Sequence, residues 1–271
     1  MSVALAVEEA GPSAGQGPPI VLAHGLTATR RYVVHGSKLL ERSGYRVIGY
    51  DARGHGESDP APDPRAYEYA DLVTDLEGVL DERVAEPAVL VGVSMGAATT
   101  LAFALRSPER VRALVQVTPA HLGLPPDPSA QPRWEALAEG LERDGVEGFV
   151  RAYGDPPVEE RFRGLIVQAI RQRIERHRHP EAVAAALRVV PRSVAFDGPE
   201  ALEGLEVPTL VVASRDELDP QHPYEVAAEY ERRIPRAELV SEEPGSSPLA
   251  WRGAQLSRAI LGFLDRLPGP G

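Results

Sequence analysis

The chain has 271 residues, seven histidines, no cysteine and a formal charge of −11. That length suits one large α/β domain or two small ones and can bury a full core without cross-links. Without cysteine there are no disulfides, thiolate zinc sites, iron–sulfur clusters or thiol nucleophile, and the acidic balance disfavours nucleic acid as a partner.

Residues 8–19 are rich in Gly, Pro and Ser and predict a loop. Short apolar, Val-rich runs follow at Ile20–Ala23, 46–50, Ala88–Val93, 113–118 and Thr209–Ala213, with a weaker one at 238–241. Continuous apolar runs of this length fit strands buried on both faces of a parallel sheet. Helical patterns lie between them, at 37–43 (ending at Gly44), 70–83, Met95–Arg106 and 255–267. Strand–helix alternation implies a doubly wound, mostly parallel α/β sheet with helices on both faces.

The stretch 121–200 breaks the rhythm and carries helical patterns only, at 131–143, 146–153, 158–178 and 180–190. Structureless loops of that length are rare, so a helical cap inserted between two sheet strands is expected. The predicted organisation is a core of residues 1–120 and 201–271 with a cap at 121–200. No apolar run reaches membrane-spanning length, and the N-terminus lacks the basic start and long apolar core of a signal peptide. A cytoplasmic protein without a membrane partner is expected.

Three motifs carry chemistry. Gly92-Val93-Ser94-Met95-Gly96 is a G-x-S-x-G between a strand and a helix. A serine at such a turn sits in a strained conformation above a helix N-terminus, where positive potential favours an alkoxide or oxyanion. His24-Gly25-Leu26 ends the first apolar run, and the amides of Leu26 and Met95 can pair as an oxyanion hole. His24 itself reads as structural. Asp51-Ala52-Arg53-Gly54-His55-Gly56-Glu57-Ser58 reads as a tight structural loop with buried charge pairing. Lys38 is the only lysine, which leaves little room for Schiff-base chemistry.

In this order and spacing, the three motifs resemble the α/β-hydrolase superfamily, nearest its esterase, lactonase and haloperoxidase-like members. The resemblance covers nearly the whole chain. It implies an α/β-hydrolase fold with a helical cap, and an acid and then a histidine downstream of Ser94. Asp219-Pro220-Gln221-His222-Pro223 matches the family's acid loop, so Asp219 is the expected acid and Asp216 the alternative. The expected histidine is missing. Its place reads Pro244-Gly245-Ser246-Ser247-Pro248, so Ser246 stands where the base belongs, and the last histidine of the chain is His222.

A serine without a base is a poor nucleophile, and losing the base of a working triad can cost about 10⁶ in turnover. The substitutes are His222 on the acid loop, His121 after the 113–118 run, and His35 on the oxyanion side, or no histidine at all. The cap also carries six arginines between Arg161 and Pro180. They read as an anion-attracting surface or a solvated helix face. His177-x-His179 is a weak metal motif.

The expected function is hydrolysis of a small carboxylic ester or lactone through Ser94, without cofactor or metal. The alternative is a hydrolase-fold protein without triad chemistry: a small-ligand binding protein or a cofactor-free lyase.

Overall fold

A computed structural model of the chain describes residues 3–13, 15–156, 159–215, 221–243, 251 and 254–268. Seven strands, β1 (Val7–Ala10), β2 (Ile20–Ala23), β3 (Val47–Tyr50), β4 (Ala88–Val93), β5 (Val111–Val117), β6 (Thr209–Ala213) and β7 (Ala237–Ser241), form one sheet in the order β1-β3-β2-β4-β5-β6-β7. Neighbours pair in parallel except β1, which runs antiparallel to β3.

Successive strand residues point to opposite faces, and both faces are covered. Val21, Ile48, Leu90, Leu114 and Val211 face one apolar layer, shared with α2 (Tyr69–Arg83), α3 (Met95–Arg106) and α7 (Tyr224–Arg233). Ile20, Val47, Val89, Val91, Val115 and Leu210 face the other, with α1 (Leu39–Arg42) and α8 (Ala254–Leu264). This is the doubly wound α/β arrangement that the strand–helix alternation implied.

Three elements depart from expectation. Val7–Ala10 lies in the segment read as a loop from residue 8, yet it is an edge strand. Its Val-Glu-Glu-Ala sequence carries no apolar run. Backbone pairing to β3 and ion pairs of Arg30 with Glu8 and Arg46 with Glu9 hold it, and charge on an edge strand discourages pairing with other chains. The first helix is a single turn, preceded by a 3₁₀ turn at Arg30–Tyr32. α7 was not anticipated, because only Ala227 and Tyr230 of its residues are fully buried and the periodic signal is thin.

Between β5 and β6 the chain forms α4 (Gln131–Tyr153), α5 (Glu160–Ile174) and α6 (Pro180–Val189), called the cap below. α4 breaks at Asp144 and Gly145, the latter at φ 60°. The three pack around Leu137, Leu141, Phe149, Ile170, Val183 and Leu187, and Leu26 of the core reaches into that cluster. Among the described residues no helix is long and apolar enough to cross a membrane.

Candidate active site

Ser94 is the single residue between β4 and α3, at φ 51° and ψ −110°. The flanking glycines make that corner. A Cβ on Gly96 would stand 2.1 Å from the Ala23 carbonyl oxygen, and one on Gly92 would stand 2.3 Å from the Gly96 oxygen. The helix start therefore presses directly on β2, and no side chain fits between. The Ser94 amide donates to Val117 O at 3.0 Å, which ties the corner to β5.

The corner opens onto a cavity of ≈ 710 Å³. Its floor is built from the segments that follow β2, β4, β5, β6 and β7, and its roof from cap residues such as Leu137, Phe149 and Leu187. Open α/β sheets bind ligands at these carboxyl strand ends. Five described non-glycine residues have positive φ: Thr27, His35, Ser94, Thr118 and Trp251. All five line this cavity, and such strain persists where the surrounding structure enforces it, which is characteristic of functional sites.

The histidines separate by geometry. His222, between β6 and α7, places Nε2 2.7 Å from Ser94 Oγ. His121 lines the same cavity, but its Nδ1 accepts the Gly123 N–H at 3.1 Å and its ring lies between Tyr69 and Phe196. Burial pushes its pKa down. His35 stands on the wall beside Tyr32 and Val33. Asp216, Asp219 and Ser246 lie outside the described residues.

Leu26 and Met95 both line the cavity. Met95 is the first residue of α3, so its N–H has no helical carbonyl behind it. Among the described residues the Leu26 N–H has no backbone acceptor. His24 lies behind this turn. It accepts the Ala52 N–H on Nε2 at 2.9 Å, so the proton is on Nδ1, which donates to Gly25 O at 2.8 Å. Burial, and then the charge of neighbouring His55, push the His24 pKa down to about 3. Both nitrogens are committed, which makes His24 a structural histidine.

The Asp51 loop is held by charge. Asp51 accepts the Arg30 N–H at 2.8 Å and the Glu57 N–H at 3.0 Å and pairs with the Arg30 guanidinium. Arg53 forms a two-pronged bond to Asp75 at 2.6 and 2.7 Å. The basic stretch of the cap mostly faces solvent in ion pairs, Arg161 with Glu159, Arg163 with Glu160 and Arg171 with Glu147. Of the six arginines, Arg173 is the one on the cavity wall. The His177-x-His179 motif is not a metal site in geometry: both His177 nitrogens are hydrogen-bonded, and no cluster of three metal-capable side chains occurs among the described residues.

Glu242 escaped the sequence reading. It follows β7 directly and accepts bonds from Ser214 Oγ (3.1 Å), Arg215 N–H (2.7 Å) and Trp251 Nε1 (3.3 Å). It thereby braces the start of the loop that leads to His222. An acid immediately after the last strand was its one visible signal.

A family model described as the α/β hydrolase fold matches residues 18–250. The chain belongs to this family. Among its relatives, an epoxide hydrolase 3 from Siraitia grosvenorii is 34% identical over 143 residues, 53% of this chain and 40% of that protein. A putative 2-succinyl-6-hydroxy-2,4-cyclohexadiene-1-carboxylate synthase from Bacillus subtilis (strain 168) is 33% identical over 158 residues, 58% of this chain and 56% of that protein. The matches thus span about half the length of these curated relatives. Among solved structures, a thermophilic esterase from Thermogutta terrifontis shares the fold with a TM-score of 0.78 and 28% identity, covering 97% of this chain and 94% of that one. For this α/β-hydrolase family member, the G-x-S-x-G serine and its imidazole neighbour are the features on which a function can be built.

Proposed function

We propose that the protein is a serine hydrolase of small carboxylic esters or lactones, with His222 as its base. The observation that carries this is the 2.7 Å contact between His222 Nε2 and Ser94 Oγ. A nucleophile within hydrogen-bond reach of a base is the arrangement that activates a hydroxyl.

In this reading, Ser94 Oγ attacks the carbonyl carbon as its proton passes to His222 Nε2. The carbonyl oxygen becomes an oxyanion held by the Leu26 and Met95 amides. The C–O bond to the alcohol then breaks, and His222 returns the proton to the leaving oxygen. Water, deprotonated by the same imidazole, attacks the acyl-serine, and His222 returns that proton to Ser94 Oγ as the acyl–oxygen bond breaks and the acid leaves. Asp219, or Asp216 in its place, orients the imidazole. The base thus comes from the loop after β6, whereas the family resemblance placed it after β7 at Ser246.

The relatives named epoxide hydrolases match only part of the chain, and a serine with an imidazole on its hydroxyl supports acyl transfer better. The alternative of a binding protein or lyase drew on the missing base at Ser246, and the imidazole on Ser94 weighs against it. The test is turnover of p-nitrophenyl butyrate and labelling by a fluorophosphonate. Wild type should turn over the ester and be labelled on Ser94, and Ser94→Ala should do neither. Equal turnover in Ser94→Ala would overturn the proposal.

A further inference from the structure

A polar contact fastens the cap to the core beside the oxyanion turn. His177, in the segment between α5 and α6, accepts the Gly56 N–H on Nδ1 at 2.8 Å. A peptide N–H can only donate, so the His177 proton is on Nε2, and Nε2 donates to Thr27 O at 2.9 Å. The next residue closes the clamp: Arg178 N–H donates to Gly56 O at 2.8 Å. His177 therefore joins three segments, the cap, the Asp51 loop and the turn after β2.

Thr27 follows Leu26, and the turn they form is strained, with Thr27 at φ 65°. A strained turn keeps its conformation only where its surroundings enforce it. The Leu26 side chain packs on cap residues. On one side His24 Nδ1 holds Gly25 O, the carbonyl of the same peptide unit as the Leu26 N–H. On the other side the cap holds Thr27 O. Because the peptide is planar and trans, fixing Gly25 O aims the Leu26 N–H the opposite way. The carbonyl of Thr27 belongs to the Thr27–Ala28 peptide, whose N–H donates to Gly25 O at 3.0 Å, so holding Thr27 O also steadies Gly25 O.

We propose that His177 is a positioning residue for the oxyanion hole: its Nε2–H bond to Thr27 O makes the placement of the Leu26 amide depend on a seated cap. The inference rests on the serine-hydrolase reading of the Ser94 site. The cap is then part of the catalytic geometry as well as the pocket roof. An acyl substrate that seats the cap also sharpens the donor that stabilises its own tetrahedral adduct.

Two near-isosteric variants separate the two bonds of His177. His177→Gln places an amide N–H near the position of Nε2 and keeps the donor to Thr27 O. His177→Asn places an oxygen near Nδ1 and keeps the acceptor for Gly56 N–H, but loses the donor. The assay is p-nitrophenyl butyrate turnover, with kcat and KM separated and Tm measured for each variant. The expected result is a kcat of His177→Asn about tenfold or more below wild type at similar KM, part of the ~10²–10³ that a full oxyanion donor supplies. His177→Gln should recover most of that loss even where its Tm is lower. If His177→Asn fails to fold, His177→Ser takes its place under the same comparison with His177→Gln.

A kcat for the donor-less variant within twofold of wild type, or equal losses in both variants that follow Tm, overturns the inference. Ser94→Ala, run alongside, keeps the two levels apart. If it retains wild-type turnover, the serine-hydrolase reading falls and takes this inference with it. If it is inactive while His177→Asn is unimpaired, this inference alone falls.

Discussion

His222 Nε2 stands 2.7 Å from Ser94 Oγ across 128 residues of sequence. Ser94 is fixed at a corner between two regular elements, whereas the imidazole arrives on a loop. His222→Ala is expected to lower kcat on p-nitrophenyl esters at similar KM by at least about 10²-fold, the lower end for a general base, and by up to about 10⁶-fold, the loss for the base of a working triad. His121→Gln should cost less than about tenfold, because its ring belongs to the cavity wall. Steady-state kinetics of both variants check this, and the reverse ranking would make His121 the base.

With an imidazole already on Ser94, a second one has little to add. Ser246→His is expected to raise kcat by no more than about tenfold. A gain of several orders of magnitude would show that Ser94 lacks a working base in the wild-type protein. The measurement is kcat on the same esters at neutral pH.

The elbow leaves no space for a side chain. In Gly96→Ala the new Cβ would meet the Ala23 carbonyl oxygen at 2.1 Å, and this is backbone that cannot swing aside. A loss above about 4 kcal/mol is expected from such overpacking. Gly78, in α2, meets nothing within 4 Å. Gly78→Ala should therefore stabilise the fold by about 0.5–1 kcal/mol. Urea unfolding midpoints distinguish the two.

The buried histidines make the fold acid-sensitive. His24 and His55 meet at a tilt and His55 and His177 edge-to-face, with ring centroids 5.2 and 5.5 Å apart. Burial pushes all three pKa values down, to about 3 for His24 and for His177. The charge of His55 opposes protonation of His24 and His177, that of His24 opposes it on His177, Arg30 opposes it on His24, and Asp51 favours it on His55 and His177. Below the ordinary histidine range the unfolded chain takes up protons that the folded chain does not. Stability is thus full above pH ~6.5 and falls as the pH drops toward about 3, by up to about tenfold in the folding constant per pH unit for each histidine. His55 donates from Nδ1 to Arg53 O. His55→Asn keeps that donor without the titration, so the drop in Tm between pH 7 and pH 5 should shrink. An unchanged drop would assign the acid sensitivity to other groups.

Much of this fold is legible because its signals are local. Continuous apolar runs at Ile20–Ala23, Ala88–Val93 and Thr209–Ala213 mark strands buried on both faces, and each is a strand with those bounds. β1 is illegible for the opposite reason: two adjacent glutamates give no apolar pattern, and the partner that makes them a strand is Val47–Tyr50. α7 has too narrow a buried stripe to show a period. Glu242 carries no local signal beyond its place after β7, because the donors that define it, Ser214, Arg215 and Trp251, come from elsewhere in the chain.

The sequence by itself determined the Gly-x-Ser-x-Gly corner, the glycines that shape it and the strand–helix alternation apart from β1 and α7. Those features depend on steric needs and hydrophobic periods of neighbouring residues. Only the tertiary structure decided which histidine meets Ser94, because that contact brings His222, which follows β6, to the end of β4 although β5 lies between the two strands. It also decided that the cap touches the turn after β2 through His177, a contact made across 150 residues that no local pattern encodes.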